Sequence, residues 1–139
     1  MKVKTIELEG PALDWAVAKA AGYKPSVYST QSIRAELPTG GVIAPFMPGF
    51  RWDQGGPILE RERIGPRWDK LWNQWGVPDP KNAALGILGQ TFLITAMRCF
   101  VTSRLGDKVE VPDELMACSN REPDASQDQA NAQRPRSRA

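Results

Sequence analysis

Four of the five tryptophans, Trp52, Trp68, Trp72 and Trp75, fall within 24 residues of one another. The same window holds Arg61, Arg63, Arg67 and Lys70, with Arg51 directly before it and the turn-like Gln54-Gly55-Gly56-Pro57 inside it. These residue types suit a planar anionic ligand. Indole faces stack on a base, guanidinium forks hold phosphate, and glycine lets a ligand approach the main chain. Trp52 lies outside any apolar period, between Arg51 and Asp53, whereas Trp68, Leu71, Trp72 and Trp75 are spaced as one face of a helix. Arg98 is a second anomaly, a charged residue in an otherwise apolar stretch. It is expected either at the edge of that stripe or in a cleft facing an anion. The ligand-binding candidates are therefore Trp52, Gln54, Gly55, Gly56, Arg61 and Arg98, near one concave surface. A competing structural account has Gly55-Gly56 merely turning the chain, Arg98 bridging to Glu60 or Asp14, and Trp52 in the core.

Other chemistry is narrowed by what is missing. The sequence contains no histidine, which removes the commonest general base, the Ser-His and Cys-His pairs and every His-containing metal site. Cys99 and Cys118, the only cysteines, fit no metal spacing, and Cys99 without a histidine base reads as a buried structural thiol. No catalytic residue, metal ligand or cofactor is assigned. Gly55-Gly56-Pro57 lacks the spacing and the Lys-Ser of a phosphate loop and is expected to be a turn. Glu60-Arg61-Glu62-Arg63 alternates in charge and is expected to form a solvated face rather than an acid–base pair. A net charge of +2 and the lack of a DNA-binding motif make nucleic acid an unlikely partner class.

The elements that must position these residues can be read in part. Val3-Lys4-Thr5-Ile6-Glu7-Leu8 predicts a short strand. Pro11 at a first helical position and Gly22 just past the end bracket a helix near 11–21, with Leu13, Ala16, Val17 and Ala20 on one face. Residues 23–50 are rich in proline and glycine and predict a long loop or loose strands. Pro66 opens an expected helix over 66–75, packing Trp68, Leu71, Trp72 and Trp75 into the core. A strand containing Trp68 competes with it. Thr91 caps and Gly106 ends a helix near 92–105, and Lys108 to Val111 alternates as a strand. The fold class is α+β: a small single domain over 1–118, a short sheet packed by two main helices. The polar tail at 119–139 has no large apolar side chain and is expected to be disordered. With no signal peptide and no apolar run of membrane-spanning length, a cytoplasmic protein without membrane contact is expected.

Three stretches resemble one family. Met1-Lys2-Val3-Lys4 followed by Leu13-Asp14-Trp15-Ala16-Val17-Ala18 looks like the start of the NinX-like family of small tailed-phage proteins. Gln54-Gly55-Gly56-Pro57-Ile58-Leu59-Glu60-Arg61-Glu62 is similar to its central signature. Ala96-Met97-Arg98-Cys99-Phe100-Val101, Leu105-Gly106-Asp107 and Val109-Glu110-Val111-Pro112 resemble its C-terminal signature. Gly89-Gln90-Thr91-Phe92 departs from the Gly-Pro-Thr-Pro usual before the last helix. The resemblance implies a phage or prophage accessory protein in a bacterial cytoplasm and brings no chemistry, because the family is a domain of unknown function. The expected function is a non-catalytic binding module for a small anionic, nucleotide-like ligand, with a counter-defence role. The alternatives are an adaptor or inhibitor of a host protein and, less favoured, a nucleic-acid accessory factor. A homodimer is favoured over a monomer, given so many tryptophans for one small core.

Overall fold

A computed structural model describes residues 1–119, without the side chains of 82–85 and 117–119. The disordered tail expected at 119–139 lies, from 120 on, outside the described residues. The order is β1 (Lys2–Lys4), a 3-10 turn (Thr5–Glu7), α1 (Gly10–Ala20), β2 (Lys24–Ser29), β3 (Ser32–Glu36), β4 (Val42–Phe46) and α2 (Trp52–Glu62). There follow β5 (Arg67–Asp69), β6 (Gln74–Asp79), β7 (Asn82–Gly89), α3 (Phe92–Leu105), β8 (Lys108–Glu110) and α4 (Asp113–Ser119). The α+β class is therefore as expected.

Helices α1 and α3 form the centre. Ala12, Leu13, Ala16 and Val17 of α1 and Ala96, Met97, Phe100 and Val101 of α3 are all buried in one core. The alanines let the two helices approach closely, and α1 packs directly on α3. The meander β2-β3-β4 covers α1, and the meander β5-β6-β7 covers α3. A two-stranded antiparallel ribbon, β1 with β8, joins the ends of the described chain. The end signals read from sequence hold. Pro11 stands in the first turn of α1, Gly22 takes a φ of 86°, and Thr91 Oγ1 accepts from the Ile94 amide at 3.1 Å.

Four expectations need correcting. The strand expected over 3–8 stops at Lys4, where Thr5 donates its hydroxyl to Gly106 O at 2.8 Å and the chain turns. Of the two readings of 23–50, the long loop gives way to strands, and these are not loose but form the three-stranded meander, with Ile33, Ala35 and Phe46 buried against α1. Residues 66–75 form the β5–β6 hairpin rather than a helix. Asp69 Oδ1 accepts from the Leu71 and Trp72 amides at 2.9 and 3.1 Å, and Asn73 takes a φ of 54°. This side-chain-closed turn outcompetes a helix. It also sets Trp68 opposite Trp75 across the hairpin. Finally, Gly55-Gly56-Pro57 is not a turn but, with Glu60-Arg61-Glu62, part of the body of α2.

Candidate functional site

Helix α2 links the two meanders and lies along α3. The pairs Trp52–Phe92, Gly55–Leu93 and Glu62–Arg104 show that the two helices run in the same direction, with their first residues adjacent. Gly55 makes this possible. A Cβ there would stand 2.4 Å from Pro48 O and 2.8 Å from Leu93 Cδ2, while a Cβ on Gly56 would meet nothing within 4 Å. The double glycine thus has two halves, one required by packing and one open to solvent.

The segment leading into α2 is tied down by polar side chains. Gln54 accepts from the Met47 amide and donates to Pro45 O at 3.1 Å. Asp14, buried in α1, accepts from the Gly49 amide at 3.1 Å. Burial pushes the Asp14 carboxyl up to about 8, only partly offset by the Gly49 amide. Its sequence signal is an acidic residue sharing a helix face with Val17 and Ala18.

Arg98 is a strut. Its Nε donates to Leu8 O at 2.8 Å and its Nη1 to Leu88 O at 2.7 Å, linking the start of α1 to the end of β7. It bridges to neither Glu60 nor Asp14, and burial lowers its pKa against the pull of Glu9 and Glu7. Arg61 sits at the far end of α2, with its guanidinium 6.0 Å from the Phe100 ring centroid and 3.1 Å from Glu62 Oε2. Arg104 reaches the same ring at 5.1 Å and the same carboxylate at 2.8 Å. Nine residues separate Trp52 from Arg61, roughly 13 Å along a helix. Of the six candidates, α2 carries five and Arg98 stands on α3. Gln54, Gly55 and Arg98 are engaged within the fold, and Trp52, Gly56 and Arg61 face outward or lie at half-buried positions.

What the fold does bring together is a series of rings. Trp52 stacks on Phe92 with centroids 5.5 Å apart, Phe92 meets Trp75 edge-on at 5.2 Å, and Trp75 meets Trp68 at 5.4 Å. The series runs from the first residue of α2 over the first residue of α3 and across the β5–β6 hairpin. Trp52 is 58% exposed and Trp68 46%. On the hairpin tip Trp72 is 61% and Leu71 86% exposed, so the tryptophans expected to fill the core lie largely on the surface. Arg51, held bidentately by Asp53 at 3.1 and 3.0 Å, and exposed Arg67 border the series in sequence. Phe92 was not singled out from sequence; its signal is an aromatic residue directly after a capping threonine.

Cys99 is buried and its thiol is pushed up by burial, as expected of a structural cysteine. Among the described residues, no group of three or more His, Cys, Asp or Glu side chains could hold a metal ion. No described helix is long and apolar enough to cross a membrane.

The described residues form an α+β domain with an aromatic series that reaches the surface at Trp52 and Trp68. The family described as bacteriophage P22 NinX matches residues 4–104, and the chain belongs to that family. No curated protein matches it.

Proposed function

We propose that this phage-family protein is a non-catalytic binding module and that the Trp52–Phe92–Trp75–Trp68 series, with Leu71 and Trp72, is its contact surface. The observation carrying this reading is that Trp52, Trp68, Leu71 and Trp72 are exposed, with Phe92 and Trp75 half-buried in the same series, although the core is already filled by Leu, Ile, Val, Met and Phe100. Exposed tryptophan adjoining arginine is the composition of protein-binding hot spots. The rings spread over four elements, α2, α3, β5 and β6, which favours a host protein as partner over a small molecule. A role against host defence is consistent with such binding to a host factor.

A second reading, capture of a planar anionic ligand of nucleotide type, is favoured by one observation. Trp52 and Phe92 are stacked where two helices begin, and a helix start attracts negative charge. A photocrosslinker placed at Trp72 tests the choice in the bacterial host. A specific protein adduct that is lost in Trp52→Ala supports the adaptor. Material absorbing near 260 nm that co-purifies with the parent and is lost in Trp52→Ala supports the ligand. A crosslink between two copies, with a light-scattering mass twice 15.4 kDa, assigns the face to a homodimer.

A further inference from the structure

We infer that the β1–β8 ribbon carries a second, separate binding site, for a small soluble anion bearing more than one phosphate group. The ribbon is antiparallel with Val3 opposite Val109, both buried, so Lys2, Lys4, Lys108 and Glu110 share the outer face. Lys4 stands directly opposite Lys108. Like charges in register across a strand pair are unfavourable unless an anion lies between them. The other rung sets Lys2 opposite Glu110, but that carboxylate is drawn off to the Met1 ammonium, which also pairs with Asp113 at 3.2 Å. None of the three lysines makes an ion pair with another described residue.

These lysines line an open surface hollow of about 410 Å³, walled also by Met1, Val3, Glu7 and Met116. Three lysine ammonium groups face the single carboxylate of Glu7, while the Met1 ammonium at the rim is matched by Glu110 and Asp113, so the net positive charge selects an anion of multiple charge. Lysine holds phosphate as a point charge with three donors and does not require the planar geometry of arginine. No stacking ring lines the hollow, so recognition there rests on the phosphates. The inference is independent of the aromatic face.

Inorganic pyrophosphate is the probe. Titrated into the full chain at low salt, it should shift the backbone amide resonances of residues 2–4 and 108–110, with an affinity that falls as salt rises. Lys4→Gln/Lys108→Gln should weaken binding about tenfold or more, since charge-assisted hydrogen bonds are lost. The same double variant, without pyrophosphate, should melt no lower than the parent because a repulsion has been removed. Trp52→Ala should bind pyrophosphate as the parent does. Absence of a shift at the ribbon, or equal affinity in the parent and the double variant, would overturn the inference. So would co-sedimentation with phosphatidylglycerol vesicles in the absence of pyrophosphate binding, which would make the ribbon a lipid-surface contact.

Discussion

The segment around Asp14, Gln54 and Arg98 and the face around Trp52, Trp68 and Trp72 invert the usual distribution of side chains. In the first, a carboxyl, an amide and a guanidinium reach into the fold and satisfy main-chain groups of Gly49, Met47, Pro45, Leu8 and Leu88. In the second, indoles that could have filled a core are exposed. The difference teaches that residue type alone does not separate scaffold from site in this chain. Polar groups with main-chain partners at hydrogen-bond distance hold the architecture, and rings left outside a filled core do not.

The contrast can be broken first at the scaffold. Gly55→Ala should cost about 3 kcal/mol or more, because its Cβ would collide with the backbone at Pro48 O rather than with a movable side chain. Gly56→Ala, one residue on, should raise stability by about 0.5–1 kcal/mol through helix propensity. Urea denaturation of the pair measures both. Equal effects would mean that α2 does not pack on α3 as described.

Asp14 offers a change of opposite sign. Its folded pKa of about 8 lies above the unfolded value of 3.8, so the folded state binds the extra proton. Asp14 therefore opposes folding increasingly as pH rises from about 3.8 toward 8. Asp14→Asn keeps an acceptor for the Gly49 amide and removes that dependence. The variant should be more stable than the parent at pH 7, by on the order of 3 kcal/mol, with the advantage shrinking toward pH 4. Denaturation at several pH values checks this. A variant less stable at every pH would contradict a protonated, buried Asp14.

Much of the scaffold was legible in the sequence, and the site only partly. Helices α1 and α3 announced themselves through Pro11, Gly22, Thr91 and Gly106, whose backbone preferences act locally and need no tertiary context. Helix α2 did not, because Gly55 and Gly56 read as a turn. The reason for a glycine at 55 is the approach of Pro48 and Leu93, distant in sequence. The hairpin was misread because Trp68, Leu71, Trp72 and Trp75 match a helical period. The deciding interaction is the Asp69 carboxylate closing on two amides. Trp52 was recognised as aperiodic, yet its neighbours Phe92 and Trp75 come from elements that only the packing brings together. Arg98 stands out in the sequence as a charge among apolar residues, but neither the stripe edge nor an anion explains it; its partners are carbonyls, which no sequence pattern displays.

The smallest stability effect should come from the aromatic face. Trp52→Ala and Trp72→Ala are each expected to change stability by less than about 1 kcal/mol, since exposed side chains contribute little to the core. Binding to the partner identified by crosslinking should fall much further, as truncation of a central tryptophan does at other interfaces.

The most direct measurement sets Arg98→Ala beside Trp52→Ala in one thermal melt. Removing the guanidinium leaves two carbonyls without their donor and opens a gap between α1 and β7, about 2–4 kcal/mol. Arg98→Ala should therefore melt roughly 10 °C or more below the parent, and Trp52→Ala within about 3 °C of it. A collapse of Trp52→Ala, together with an Arg98→Ala variant that melts like the parent, would contradict the assignment of scaffold and surface.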